Sequence, residues 1–242
     1  MLKRSRISLI LGLCIALAGV SQADFVPAGT LNVLDKRDPD RVYGSLPETV
    51  TIGNRDTNQY ADAVTKFDLS SYAGQTVEGD GHILFYAVRS GTDAELPGGF
   101  QILELNKGFI ASEVSWNSRS SGVAWTTTTN KYSAGGLGDT LGQIGTFAVT
   151  WATDYVQVSV TVSQETIQRW IDAPSENFGL IFAPVNLNPP TTDKFKRINL
   201  TGPGNSTYGG PILEFSSVPE PATMGLLLIG TAAIVLKRRG TK

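Results

Sequence analysis

Residues 155–162 read YVQVSVTV, and this stretch decides the fold class. Four valines, at positions 156, 158, 160 and 162, alternate with Gln157, Ser159 and Thr161. Successive side chains of a β-strand point to opposite faces, so this alternation predicts a strand with one face in the core and one face in water.

Seven other runs rich in β-branched and aromatic residues occur along the chain, separated by clusters of Gly, Pro, Asn and Ser. They span residues 63–69, 83–88, 100–105, 144–151, 178–183, 194–200 and 212–215. Short strands at this spacing, with turn residues between them, are typical of an antiparallel β-sandwich or jelly roll rather than of alternating βαβ units. We therefore predict an all-β domain.

One short helix is predicted over residues 163–171. Ser163 is a suitable N-cap, and Ile167, Trp170 and Ile171 share one helical face. Pro174 ends the helix, because the residue before a proline is disfavoured in the helical region. We expect Trp170 to be a core residue that closes one end of the sheets.

The N-terminal 23 residues have the layout of a secretory signal peptide. Lys3, Arg4 and Arg6 precede an apolar run at residues 7–20, and Ser21-Gln22-Ala23 gives signal peptidase a small-x-small site. A membrane anchor is the alternative, but about 14 apolar residues are fewer than the roughly 20 that span a bilayer. The mature chain is therefore expected to begin near Asp24.

Three unlike elements follow one another near the C-terminus. They are Pro219-Glu220-Pro221, an apolar stretch at residues 222–236, and the basic cluster Lys237-Arg238-Arg239. Residues 218–242 closely resemble a PEP-CTERM sorting signal. The resemblance implies export in a Gram-negative-type bacterium, a transient inner-membrane intermediate, and processing by an exosortase that delivers the protein to the cell surface or extracellular matrix.

The length and charge of this segment fit that role. Fifteen helical residues cover about 22 Å of a hydrocarbon core of about 30 Å, which suits temporary retention. The basic cluster is expected to stay cytoplasmic by the positive-inside rule. An ordinary single-pass tail anchor is the alternative.

Residues 24–217 are expected to form one domain. Of the chain's 20 basic and 22 acidic residues, the two tails hold seven and one, which leaves 13 against 21 and a net charge of −8. This negative net charge argues against nucleic acid and anionic lipid as partners.

The single cysteine, Cys14, lies in the signal peptide. The single histidine, His82, excludes His-cluster metal sites and most His-based triads.

The domain also resembles DNRLRE-type domains, a group allied to carbohydrate-binding modules. The resemblance covers residues 32–216 and rests on DPDRVYG at 38–44, KFDLSS at 66–71, VSWN at 114–117 and NFGL at 177–180. It implies a jelly roll that binds polysaccharide. The six letters that name the family do not occur, and residues 82–86 read HILFY where the family usually shows the alternating pattern Ala-x-Leu-x-Leu. The resemblance therefore supports binding less well than fold.

Trp125 and Tyr132 are the candidate glycan-binding residues. Sugars are bound by aromatic faces together with amide and carboxylate groups that take their hydroxyls. Both candidates lie in the polar stretch 118–133, where no apolar period requires burial, whereas Trp116 and Trp151 are expected in the core. The alternative is that Trp125 folds back over one end of the sandwich.

Asp35, Asp38 and Asp40 offer three carboxylates at short spacing, a ligand type that Ca²⁺ prefers. Because Lys36, Arg37 and Arg41 interleave with them, an exposed ion-paired loop is the alternative. Calcium is thus a possible ligand, and no cofactor is expected to be required.

Taken together, the sequence predicts a non-catalytic surface or matrix protein that binds extracellular polysaccharide. The first alternative is a structural or adhesive matrix protein that binds no sugar. A polysaccharide-degrading enzyme would need paired carboxylates, and the sequence does not single out a pair. Asp68 is expected to bind turn amides instead of acting as an acid.

Overall fold

The computed structural model describes residues 22–43, 50–56, 59–90, 99–126, 138–149, 155–185, 196–201 and 211–219. The predicted signal peptide up to residue 21, the apolar stretch 222–236, the basic cluster Lys237-Arg238-Arg239, Tyr132 and Trp151 lie outside these residues.

The described residues are mostly β-strands, as predicted. The strands are β1 Gln22–Asp35, β2 Val50–Asp56, β3 Gln59–Phe67, β4 Gln75–Val77, β5 Gly81–Ser90, β6 Phe100–Leu105, β7 Ser118–Ser120, β8 Val123–Ala124, β9 Thr140–Phe147, β10 Val156–Val162, β11 Leu180–Pro184, β12 Lys196–Thr201 and β13 Ile212–Pro219. A 3₁₀ turn covers Ser70–Tyr72, and helix α1 covers Gln164–Asp172. All eight predicted strands are present.

Eleven strands form one antiparallel network, and β7 and β8 form a separate hairpin. The front sheet contains β10, β5, β13, the short β4 and the first half of β1. The back sheet contains the second half of β1, then β3, β11, β6 and β9. On the other side β12 pairs with both β5 and β2, and β2 pairs with β3. The two sheets are therefore joined at both sides, and the all-β sandwich is nearly closed.

β1 passes from one sheet to the other. Residues 22–27 pair with β13, and residues 28–35 pair with β3, with a register shift between Ala28 and Thr30. A bulge of this kind bends a strand and lets it continue in a second sheet.

The main core lies between the sheets and is centred on aromatic rings. Phe85 of β5 contacts Phe147 of β9 and Phe182 of β11 edge-on, at centroid distances of 4.9 and 5.6 Å. Gly145 allows β9 to approach β10, because a Cβ there would lie 2.6 Å from Val160 Cγ1.

A second core cluster lies on the other side of the back sheet. It consists of Leu34, Tyr60, Val64, Leu105, Val114, Trp116, Trp125 and Ile181. In β11, Leu180 and Phe182 belong to the main core whereas Ile181 belongs to the second cluster. Strand alternation puts these residues on opposite faces, so the back sheet is apolar on both sides. Residues 106–126 supply the cover for its outer face.

Helix α1 matches the predicted helix to within one residue. The Ser163 hydroxyl accepts a hydrogen bond from Thr166 N at 3.3 Å, as an N-cap does. Trp170 is 1% exposed, so its predicted core position is confirmed. Its Nε1 donates to Glu104 Oε1 at 2.6 Å, and Arg169 donates to Glu104 Oε2 at 2.7 Å. The buried Glu104 carboxylate of β6 thus fixes the helix to the back sheet.

With nine residues, α1 is too short to cross a membrane, and no other helix in the described part of the chain is long and apolar enough to do so.

Replacing Trp170 with alanine should lower the free energy of unfolding by about 3–5 kcal/mol, because the change leaves a large cavity and removes a donor to Glu104. Leu141→Ala is the matched control, because Leu141 is 58% exposed and surface changes alter stability by about 0.5 kcal/mol or less. Urea unfolding followed by tryptophan fluorescence measures both. A Trp170→Ala loss under about 1 kcal/mol would contradict the assignment of Trp170 to the core.

Candidate functional site

Trp125 is buried, so the prediction of an exposed aromatic at this position is wrong. Its side chain is 4% exposed and packs in the second core cluster. The indole Nε1 donates a hydrogen bond to Ser115 O at 3.0 Å. The apolar outer face of the back sheet gives Trp125 a surface to cover, and burying an indole there stabilises the fold more than exposing it does. Trp116, expected in the core, is buried in the same cluster.

Asp139 holds the covering segment in place. Its carboxylate is almost fully buried, forms an ion pair with Lys107 Nζ at 2.9 Å and accepts a hydrogen bond from Thr126 N at 2.7 Å. Burial by itself raises the pKa of Asp139, but the hydrogen bonds from Thr126 and the nearby Lys107 outweigh it and hold the pKa below its usual value. Asp139 therefore remains ionised at neutral pH and ties the segment next to Trp125.

The three aspartates proposed as calcium ligands do not converge. Asp35 and Asp38 each have one oxygen near the Tyr43 hydroxyl, at 3.1 and 3.2 Å, and both are paired with Arg37. Asp40 instead accepts a hydrogen bond from Asn117 Nδ2 at 2.8 Å. Within the described ranges no three His, Cys, Asp or Glu side chains are arranged to hold a metal ion. This geometry matches the alternative expectation of an ion-paired loop, because Arg37 pairs with the carboxylates of both Asp35 and Asp38.

Among the described residues, the exposed aromatic side chains lie on the outer surface of the front sheet. Tyr155, just before β10, is 42% exposed, and Phe25 of β1 is 57% exposed. Tyr86 of β5 is partly buried and lies opposite Gln157 of β10. Tyr155 is two residues from Gln157 and thus on the same face, which makes it a diagonal neighbour of Tyr86 at about 7–8 Å. Two tyrosines therefore occupy diagonal positions on this face, one in β5 and one just before β10.

Polar side chains lie next to these rings. Ser159 Oγ and His82 Nδ1 are 3.3 Å apart, across β10 and β5. Glu214 of β13 lies opposite His82, and Phe25 lies opposite Glu214. We call this surface the front face; its residues are Phe25, His82, Leu84, Tyr86, Tyr155, Gln157, Ser159 and Glu214. It combines aromatic rings with hydroxyl, amide, imidazole and carboxylate groups.

The sequence contained a signal for the front face. The alternation at residues 155–162 already separated Tyr155, Gln157 and Ser159 from the buried valines. The position of Tyr86 and Glu214 beside them depends on strand order, which the pattern of a single strand does not encode. The expectation that binding aromatics lie in loops therefore does not lead to this surface.

β13 leads directly into the C-terminal segment. It ends at Pro219, the first residue of the Pro-Glu-Pro sequence, and Ser217 and Val218 before it are paired with β4. The C-terminal segment therefore leaves the sandwich at the end of a front-sheet strand, without an intervening linker.

Comparison with known families identifies this segment. The family model described as the PEP-CTERM protein-sorting motif matches residues 217–239. A search of curated protein sequences gives no match. The fold and the motif together define an exported β-sandwich protein that is sorted to the cell surface through the membrane, with exosortase as its processing partner.

Asp139→Asn should destabilise the protein by about 1–3 kcal/mol at pH 7, because it removes a buried charge that pairs with Lys107. The pKa of Asp139 is lower in the folded protein than in the unfolded chain. The stability that its charge contributes is therefore complete above the unfolded-state pKa of about 3.9 and is lost as pH falls through the folded-state pKa. The difference between wild type and variant should therefore narrow as pH falls from 7 to 3. Urea unfolding at a series of pH values measures it, with the exposed Glu78→Gln as control. A difference that stays constant down to pH 3 would exclude this role.

Proposed function

We propose that this protein is a non-catalytic surface or matrix protein that is retained by binding extracellular polysaccharide through the front face. The observation that carries the proposal is the diagonal pair of Tyr86, in β5, and Tyr155, just before β10, next to exposed polar side chains. The sorting motif supplies the compartment in which such a ligand is met.

The chemistry of the front face suits a sugar chain. A pyranose ring presents C–H groups that pack on the face of a tyrosine, and its hydroxyls pair with amides, hydroxyls and carboxylates. Gln157 and Ser159 project on the same side as Tyr155 and are exposed. Several modest contacts along an extended sheet face suit a long polymer better than a small ligand, which requires a concave pocket.

Charge favours a neutral or weakly charged polysaccharide. The domain of residues 24–217 has 13 basic and 21 acidic residues, so a strongly anionic polymer would be repelled over a Debye length of about 8–10 Å. Neutral glycans are therefore the first probes to use.

The local geometry supports binding rather than catalysis. Ser159, His82 and Glu214 lie on three neighbouring strands. At His82 and Glu214 the strands are paired on both edges, so the backbone amides there are used in the sheet and are not free to stabilise an oxyanion. Asp68 accepts a hydrogen bond from Ser70 N at 3.0 Å, and the hydrogen bonds from Ser70 lower its pKa. A general acid requires a raised pKa, so Asp68 is a turn residue, as the sequence suggested.

The resemblance to DNRLRE-type domains stays a prediction and is compatible with the sandwich. A structural or adhesive protein without sugar binding is the second candidate. The burial of Trp125 favours that candidate, because it removes the aromatic platform expected there.

The test is retention of the exported protein on insoluble neutral polysaccharides, namely cellulose, xylan, chitin and β-glucan. Tyr155→Ala and Tyr86→Ala should each weaken binding roughly 5- to 10-fold, since an aromatic contact contributes about 1 kcal/mol. Leu141→Ala, an exposed residue of β9 in the back sheet, is the matched control and should bind like wild type.

Retention lost only in the tyrosine variants would support the proposal. Wild-type protein that binds none of the four polymers would favour the structural or adhesive protein. Release of soluble sugar from any of them would instead reveal an enzyme.

A further inference from the structure

The sorting motif begins inside the folded domain. The matched segment starts at residue 217, and β13 continues to Pro219. Ser217, Val218 and Pro219 are therefore at once the end of a strand and the start of the sequence that exosortase reads.

This end of β13 is held on both of its edges. On one edge Ser217, Val218 and Pro219 lie opposite Val77, Thr76 and Gln75 of β4. On the other edge β1 pairs with β13 up to Ser217; the partners Gln22 and Ala23 precede the expected signal-peptide cut, and Asp24, opposite Phe215, follows it. The Ser217 hydroxyl is 2.7 Å from Asp24 Oδ2 and 2.6 Å from Gln75 Oε1, so its side chain joins all three strands.

β4 is only three residues long, yet its outer edge is also occupied. Val77 N donates to Gln168 Oε1 at 2.8 Å, and Gln164 Nε2 donates to Val77 O at 2.7 Å. Gln168 Nε2 also donates to Gln75 O at 3.0 Å. Two glutamine side chains of α1 thus take the place of a neighbouring strand, which satisfies backbone groups that an edge strand would otherwise expose.

The membrane is close to this point in the sequence. The apolar stretch begins at Ala222, three residues after Pro219, and three extended residues span at most about 11 Å. A membrane-embedded protease therefore meets the motif at the surface of the sandwich. Proteases and other peptide-binding proteins that take an extended segment need its backbone N–H and C=O groups free. In β13, Glu78 N donates to Ser216 O at 2.8 Å, so strand alternation points the backbone groups of Val218 to β4 and those of Ser217 to the β1 edge. Val218 therefore offers its groups to a protease only after it leaves β4.

We propose that sorting requires residues 217–219 to detach from β4, and that Gln164 and Gln168 are positioning residues that slow this step by holding β4 in place. Detachment breaks a short ladder only, and the rest of β13 stays paired with β5 and β1. The rate of processing then depends on a local opening and not on unfolding of the whole domain.

An engineered disulfide tests this inference directly. Thr76 and Val218 are cross-strand partners, and the Cα separation of antiparallel partners is within the range that a disulfide accepts. Residues 24–242 contain no cysteine, so Thr76→Cys with Val218→Cys creates a single possible bridge in the oxidising exterior. The full chain is expressed with exosortase, and the fraction that keeps its tail is followed by mass spectrometry or gel shift.

We expect the oxidised double variant to be processed at least tenfold more slowly than wild type, and reductant to restore the rate. The single variants Thr76→Cys and Val218→Cys control for altered recognition. Gln101→Cys with Thr146→Cys places the same bridge between β6 and β9 and should leave processing unchanged. Wild-type processing of the oxidised Thr76–Val218 bridge would overturn the proposal.

A second pair of variants tests the glutamines. Gln164→Ala with Gln168→Ala should raise the processing rate several-fold, because β4 loses its outer partners. Leu105→Ala is the control, because it loosens the second core cluster away from β4. When it lowers thermal stability as much as the glutamine double variant does, it should still leave the processing rate unchanged. Slower or unchanged processing of the glutamine variant would show that these residues do not control the step. These readouts are independent of polysaccharide binding.

Discussion

The structure depends on the hydrogen bonding of one strand in two sheets. The first half of β1 pairs with β13 at the front, and the second half pairs with β3 at the back. Buried backbone groups must be paired. The bulge near Gly29 moves β1 from one layer to the other while each half of the strand keeps a partner strand. This crossing joins the sheets at one side and fixes the spacing within which the aromatic core packs.

The same constraint brings the ends of the domain together. Because β1 and β13 are antiparallel, the entry of the domain near Asp24 lies beside its exit near Ser217. Besides the ladder between β1 and β13, a side-chain hydrogen bond from the Ser217 hydroxyl to the Asp24 carboxylate joins entry and exit. The expected signal-peptide junction and the sorting motif are therefore neighbours in space although they are almost 200 residues apart in sequence.

Local patterns were sufficient to predict the fold class and insufficient to predict the site. The valine alternation of β10 and the apolar face of α1 each report on one element, and both were interpreted correctly. β1 could not be recognised, because Pro27 and Gly29 interrupt its pattern where it changes sheets. Trp125 lies in a polar stretch, so only the apolar outer face of the back sheet, a property of neighbouring strands, determines its burial. The front face likewise combines side chains from four strands.

β13 connects the proposed binding face with the sorting motif. Glu214 is on the front face and Pro219 is at the exit, and five residues of strand separate them by about 17 Å. The front face is therefore one strand segment away from the point where β13 leads into the tail. A cut at or beyond Pro219 leaves all of residues 217–219 able to pair again with β4. Before cleavage, the ladder between β4 and β13 opposes the binding of residues 217–219 to exosortase. After cleavage, the same ladder would compete with exosortase for the new C-terminus. Contacts that slow substrate binding would therefore speed product release.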